Sequence, residues 1–329
     1  MSTTASSERR SPVTATKIPV QTLLFAFVAI ISEGIQPNIS NARPPDLDPL
    51  FFSWMTVLWE LILIVPFYIL EQRKRRQGRQ ALPRNSGISR PRHYWKRLIF
   101  IGVAFSASVY LMVIGYAMAR SITGIIIVKT SPFFAMLFGA FYLRERITLP
   151  QIGFTVVLLV GVYILATKGT FQIGEFSLAV GILLIVPFLW NLAHALTKPL
   201  LEQHIMTTPE TIMSRMIFCS VILGLVCLIT RGTQDFWQWG SPTHVWSMFF
   251  MGAVYACLHY TWYKLITTVN LSIATAIMIP TPVVTMVVSF LTASDILQWY
   301  HIVSLLTSFV GLYGIIILQT HNQSRNKLH

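Results

Sequence analysis

Residues 120 to 165 of this chain recur at 270 to 315, without a gap and at a constant offset of 150 residues. Pro132 aligns with Pro282, Met136 with Met286, Glu145 with Asp295, Ile152 with Ile302, Gly161 with Gly311 and Tyr163 with Tyr313. The offset extends upstream to Gly102 with Gly252 and Tyr110 with Tyr260. Identities are few, but their placement is ordered: a helix-breaking Pro inside an apolar run, an acid just past it, then a Gly and a Tyr in the next run. Duplicated halves of this kind in an apolar chain are an architecture of membrane transporters.

The rest of the composition agrees with a membrane setting. Of 329 residues, 54% are hydrophobic and 11% charged, whereas soluble domains carry about 25% charged residues. Ten apolar runs approach the roughly 20 residues that cross about 30 Å of hydrocarbon. They lie near 18 to 38, 50 to 70, 98 to 118, 121 to 143, 149 to 167, 177 to 197, 210 to 230, 244 to 265, 271 to 292 and 298 to 319. Continuous rather than alternating apolarity predicts helices, not a barrel.

The net charge of +13 is concentrated between Glu71 and Arg97, which hold ten basic residues against the single acid Glu71. With the amino terminus inside, 19 of 25 Lys and Arg fall on the cytoplasmic side. The positive-inside rule therefore predicts two cytoplasmic termini, a cytoplasmic 71–97 loop and an external 39–49 loop in a cell membrane. The basic loop has too few interleaved aromatics for a nucleic-acid surface. Cys219, Cys227 and Cys257 sit in apolar runs without paired spacing, so neither a disulfide framework nor a metal site is expected. No cofactor motif is present.

The repeat unit holds five spans, an odd number, so the second copy enters the membrane from the opposite side. The predicted fold is an all-α polytopic membrane protein with ten transmembrane helices in two inverted five-helix repeats. The division is a polar tail (1–17), a first unit (18–167) carrying the basic loop 71–97, a second unit (177–319) and a cytoplasmic tail (320–329). Pro132 and Pro282 fall about 18 Å into their runs, near the bilayer centre, and Pro280 adds a second break beside Pro282. Backbone freed by proline at that depth belongs against protein or a water-filled cavity, which makes both segments candidate cavity walls.

Charges inside the runs complete the candidate site. Glu33, Lys129 and Glu60 fall about 8, 13 and 15 Å from the outer ends, within one layer. Glu60 and Lys129 are read as the working pair: Lys129 to receive a substrate carboxylate, Glu60 to carry a proton or meet an amine. The competing reading is a buried ion pair that only locks helices together. His259, with neighbouring Tyr260, is a further candidate, read either as a hydrogen-bonded core residue or as a proton relay. Arg215 and His194, near the cytoplasmic ends, are expected to snorkel.

The stretch YAMARSITGIIIVKTSPFFAMLFGAFYLRERITLPQIGFTVVLLVGVYIL resembles the repeat of the drug/metabolite transporter superfamily in its EamA-like branch. The short turn between the third and fourth runs, Pro132, Glu145 and Gly161 carry the resemblance. It implies an alternating-access secondary carrier, often an exporter of amino acids or other small metabolites, with a small-molecule substrate, the lipid bilayer and a homodimer as its expected partners. Asp295 in place of Glu, and Pro280 and Thr281 ahead of Pro282, depart from the pattern and bear on substrate class. The rivals are an intramembrane enzyme, for which no GxSxG, HExxH or membrane aspartate pair is found, and a regulatory membrane protein without transport.

Overall fold

The computed structural model describes residues 20–76, 94–131, 133–134, 137–138, 148–171, 178–202, 205–268, 274 and 277–326. Among these, the chain is helical throughout, without strands. In order the helices are α1 (Val20–Asn41), α2 (Pro49–Arg76), α3 (Tyr94–Ala119), α4 (Ser121–Val128), α5 (Leu149–Ala166), α6 (Leu178–Glu202), α7 (Thr208–Arg231), a 3-10 turn (Gln234–Gly240), α8 (Pro242–Thr268), α9 (Thr281–Leu291) and α10 (Trp299–Asn326). Five of the described segments are long and apolar enough to cross a membrane: Val20–Asn41, Pro49–Arg73, Tyr94–Ala119, Leu149–Ala166 and Thr208–Arg231. The protein is thus a polytopic helical membrane protein. Two sequence boundaries move: α2 runs on to Arg76, inside the expected 71–97 loop, and α10 continues into the expected tail as far as Asn326.

Local chemistry sets the ends. The Thr148 and Thr207 N–H groups donate to the Gln151 and Glu210 side chains at 2.7 and 2.9 Å, with a proline in each following first turn. Such boxes satisfy donors that a helix start leaves orphaned. Asp48 caps α2, accepting from Leu50 N and Phe51 N at 2.8 and 3.0 Å. Arg120, at a positive φ of 65°, forms the one-residue turn between α3 and α4. Asp295, from the loop after α9, accepts from Ile122 N at 3.2 Å and places a carboxylate at the start of α4.

The principal packing pairs are α1 with α8 and α9, α6 with α3 and α4, α2 with α7 and α8, α3 with α7, α4 with α9, and α5 with α10. Advancing every helix by five maps each of these pairs onto itself or another. The closest crossing repeats the sequence offset in space. A Cβ on Gly161 would meet Ser308 Oγ at 2.7 Å and Ser304 O at 3.0 Å, and one on Gly311 would meet Leu158 N at 2.6 Å and Phe154 O at 2.7 Å. Ser304 and Ser308 follow Phe154 and Leu158 by 150 residues, so each glycine seats on the same two positions of the other copy. Later residues of one helix meet earlier residues of the other, so α5 and α10 run antiparallel. The pairs Ala26–Leu265 and Ala29–Leu258 make α1 and α8 antiparallel too, whereas Glu33–Thr281 and Asn38–Ser289 make α1 and α9 parallel.

Small residues let membrane helices approach closely where lipid offers no hydrophobic drive to associate. Gly311→Ala should therefore lower thermal stability by about 1–3 kcal/mol, because the new methyl meets backbone atoms that cannot turn aside. Gly153→Ala, on the same helix pair but facing open space, should be neutral or slightly stabilising. Melting of the two variants in detergent checks the contrast.

Candidate functional site

Two helix breaks frame the site. In the first half α4 stops at Val128, residues 129 and 130 turn, and helix resumes at Ser131. In the second half residues 278 to 280 turn and α9 starts at Thr281. Phe133 N donates to Thr130 O at 2.9 Å, and Val283 N donates to Pro280 O at 2.9 Å, the same bond one offset apart. Pro280 stands as the residue before α9 and Pro282 lies in its first turn, where a missing N–H costs nothing. Pro282 therefore begins a new helix. Pro132 lies outside the described residues.

Glu33, on α1, closes the gap between the breaks. Its Oε2 accepts from Lys129 Nζ at 2.7 Å and from Thr281 Oγ1 at 3.2 Å, so one carboxylate oxygen touches both. The Lys129 and Glu33 side chains are only 10% and 12% exposed. The neighbouring α1–α9 seam is polar as well: Thr285 Oγ1 donates to Gly34 O at 2.7 Å and Ser289 Oγ to Asn38 Oδ1 at 2.7 Å. On the other side Asn191 of α6 donates to Ser131 O at 3.0 Å and Ser131 Oγ at 2.8 Å. Ser131 and Thr281 are one offset apart, so Asn191 serves the first break as Glu33 serves the second. Half the arrangement is ionic and half is neutral.

Glu60 belongs to a second group. Its Oε1 meets His259 Nδ1 at 2.6 Å and Arg215 Nη2 at 3.5 Å. Arg215 also donates from Nη1 to the Tyr263 hydroxyl at 3.3 Å and lies 4.3 Å over the Phe105 ring. The expected snorkelling of Arg215 is overturned, since it is 2% exposed and held by a carboxylate and two aromatic faces. The helix begins at Thr208, which sets Arg215 about 10 Å inside it, beyond reach of the surface. His194 is likewise drawn inward, against Phe105 and Tyr263 with ring centroids 5.5 and 6.2 Å away.

The pairing read from depth alone is thus corrected: the partner of Lys129 is Glu33, and Glu60 takes Arg215 and His259. Tyr260 stands apart from both groups, packed on Phe67 at 5.0 Å with Lys264 Nζ 5.7 Å from its ring. Between the groups lie Tyr255, whose ring is 5.5 Å from that of His259, and Gln36, one turn along α1 from Glu33. The Tyr116 hydroxyl and Thr130 Oγ1 are buried with no hydrogen-bond partner among the described residues, and the buried Tyr255 hydroxyl has only a loose contact, with the Gln36 amide. Unmet polar groups beside a buried ion pair are expensive in a packed core and are what an incoming polar ligand can satisfy. Arg215 and Asn191 were the residues that sequence reasoning missed. A lone polar residue inside an apolar run was the available signal for each.

A helical membrane protein with two broken helices and a buried polar core has a construction found among membrane transporters. The EamA-like transporter family profile matches residues 20–167 and again 177–317, and the chain belongs to that family. It is 26% identical over 201 residues to the uncharacterized transporter YcxC of Bacillus subtilis (strain 168), a match covering 57% of this chain and 62% of that protein's length. A solved crystal structure shares the fold, with a TM-score of 0.61 at 12% identity over 91% of this chain and 98% of its own.

The observed pairing predicts a particular double-variant pattern. Glu33→Leu or Lys129→Leu alone leaves a buried charge without its partner and should lower folded yield, at a cost of about 3–5 kcal/mol. Joining them should restore most of it. Combining Lys129→Leu with Glu60→Leu should instead add the two losses, because these residues are not partners. Size-exclusion yield of monodisperse protein reads the difference.

Proposed function

We propose that the protein is a secondary active transporter that exports small metabolites such as amino acids by alternating access between two inverted repeats. The observation that carries this reading is Glu33, whose single oxygen joins Lys129 at one helix break and Thr281 at the other. A substrate carboxylate entering between the breaks can take Lys129 from Glu33, while the substrate amine takes the carboxylate so released. The hydroxyls of Tyr116 and Tyr255 and the Gln36 amide supply further polar contacts. Exchange of an internal ion pair for the same bonds to substrate keeps the core neutral before and after loading.

The inverted arrangement is supported by the antiparallel α5–α10 crossing at Gly161 and Gly311 and by the two separate family matches. Ten crossings follow if each broken segment and its neighbour complete one span. The two ends of the bundle differ. One is closed by Arg231, paired with Asp48 and, at 3.0 Å, with Asp235, and by His244 Nε2 at 3.2 Å from Asp46. At the other, Gln72 Nε2 donates to Glu210 Oε1 at 3.0 Å. The basic segment supports a topology with the first end outside and both termini in the cytoplasm of a cell membrane.

In proteoliposomes supplied with a radiolabelled amino-acid and metabolite panel, the wild-type protein should accumulate or exchange at least one member. Lys129→Ala should reduce that transport by about 10- to 150-fold, since a bond to a buried charged group is worth about 1.5–3 kcal/mol. Wild-type transport in that variant removes Lys129 from the substrate site. Cysteines placed singly in 39–49 should react with impermeant reagent in intact cells, and those in 77–93 should not; the reverse pattern ends the proposed orientation.

A further inference from the structure

The Glu60 group does something the substrate site does not need. Three ionisable side chains from three helices, Glu60 of α2, Arg215 of α7 and His259 of α8, meet in the core, with Glu60 fully buried and Arg215 2% exposed. One carboxylate oxygen carries both contacts, at 2.6 Å to His259 Nδ1 and 3.5 Å to Arg215 Nη2. The other, Oε2, has no hydrogen-bond partner among the described residues, and neither has Arg215 Nε. A pair evolved only to lock α2 to α7 gains most from a bidentate fork, two parallel bonds using both oxygens. Here the fork is not formed, and the histidine holds the shorter contact.

We propose that Glu60, His259 and Arg215 form a proton-binding site, and that taking up a proton releases α7 from α2. With Glu60 ionised and His259 neutral, the charges of Glu60 and Arg215 cancel. A proton arriving from water binds the Glu60–His259 unit, on the carboxylate or on the ring, and the cluster becomes net positive in a dry core. Arg215 then loses its counter-charge or must share it with the imidazolium, and the long Nη2 contact weakens. The guanidinium is not enclosed by protein on every side. Beside it lies a cavity of about 10 Å³ bordered by Thr197, Thr211, Ser214 and Tyr263, toward the end of the bundle where α7 begins. That volume suits about one water, enough to hand a proton toward that end of the bundle and too little for the guanidinium itself.

The groups facing Glu60 are few and identifiable. From α7 come Arg215 and Cys219, and from α8 His259, Tyr255 and Tyr263. Behind them His194 of α6 faces Arg215 and His259, and Glu33 of α1 is close enough to act on His259. Phe105 of α3 adds a ring under Arg215 but no titratable group. No second carboxylate among them contacts Arg215, so nothing in the described structure replaces Glu60 when it is neutralised. The use of this proton to drive transport rests on the transporter reading above; the binding itself does not.

The test therefore needs no substrate. Full-length protein in lipid, with ring-labelled histidine, is followed by pH-difference infrared spectroscopy. The wild type and Glu33→Gln should show a carboxylic-acid or imidazolium mode that titrates while the protein stays folded. Glu60→Gln, and the charge-balanced Glu60→Gln, Arg215→Gln double variant, should lose it. In a Cys227→Ser, Cys257→Ser background at fixed pH, maleimide should reach buried Cys219, one turn from Arg215, about tenfold faster when Glu60 is Gln. A wild type in which no such mode titrates, or a mode that survives unchanged in both Glu60 variants, overturns the site. Equal labelling rates overturn the release of α7.

Discussion

Hydrocarbon offers no water to a broken backbone, and this structure breaks two helices deep within its bundle. Everything else is arranged around satisfying those breaks. Short i to i−3 bonds, Phe133 N to Thr130 O and Val283 N to Pro280 O, close part of the gap, and side chains from α1 and α6 close more. Asn191 does so as a neutral amide, and Glu33 does so as a charge that must itself be answered by Lys129. The second solution is costlier. It is also the one that an ionic ligand can replace.

The offset of 150 residues reappears in the packing. Gly161 and Gly311 bring α5 and α10 into backbone contact on the same two positions of each copy, and Asp295 fixes the start of α4 from the opposite half. Glu33, Glu60, Arg215 and His259 lie away from these contacts, on α1, α2, α7 and α8, where the packing partners come from opposite halves, and Lys129 ends α4. A change of pairing at Glu33 or Glu60 is thereby a change in how the halves meet.

How much of this could be read from residues alone follows from what repeats. The breaks were legible because Pro132 and Pro282 interrupt apolar runs at equal depth, with Pro280 beside the second, and helix does resume at Ser131 and Thr281. The repeat singled out Gly161 and Gly311 as matching positions, but not the close crossing they make. Partner choice was not legible. Depth along a run placed Glu33, Lys129 and Glu60 in one layer, but it carries no information on which face each helix turns inward, so it could not choose which carboxylate Lys129 meets. Arg215 failed for a related reason. Its distance from a helix end suggested escape to the surface, whereas Phe105, Tyr263 and Glu60, all remote in sequence, hold it inside.

The central claim is that ion pairs in a symmetric core exchange access from one end of the bundle to the other. Spin-label distances across both ends of a protein freed of native cysteines test it most directly, with one pair at Pro45 and Thr243 and the other at Arg73 and Ile205. Between neutral and acidic pH, or on adding a transported metabolite, the account predicts that one distance lengthens as the other shortens. Distances that stay fixed at both ends, or that lengthen together, would contradict it.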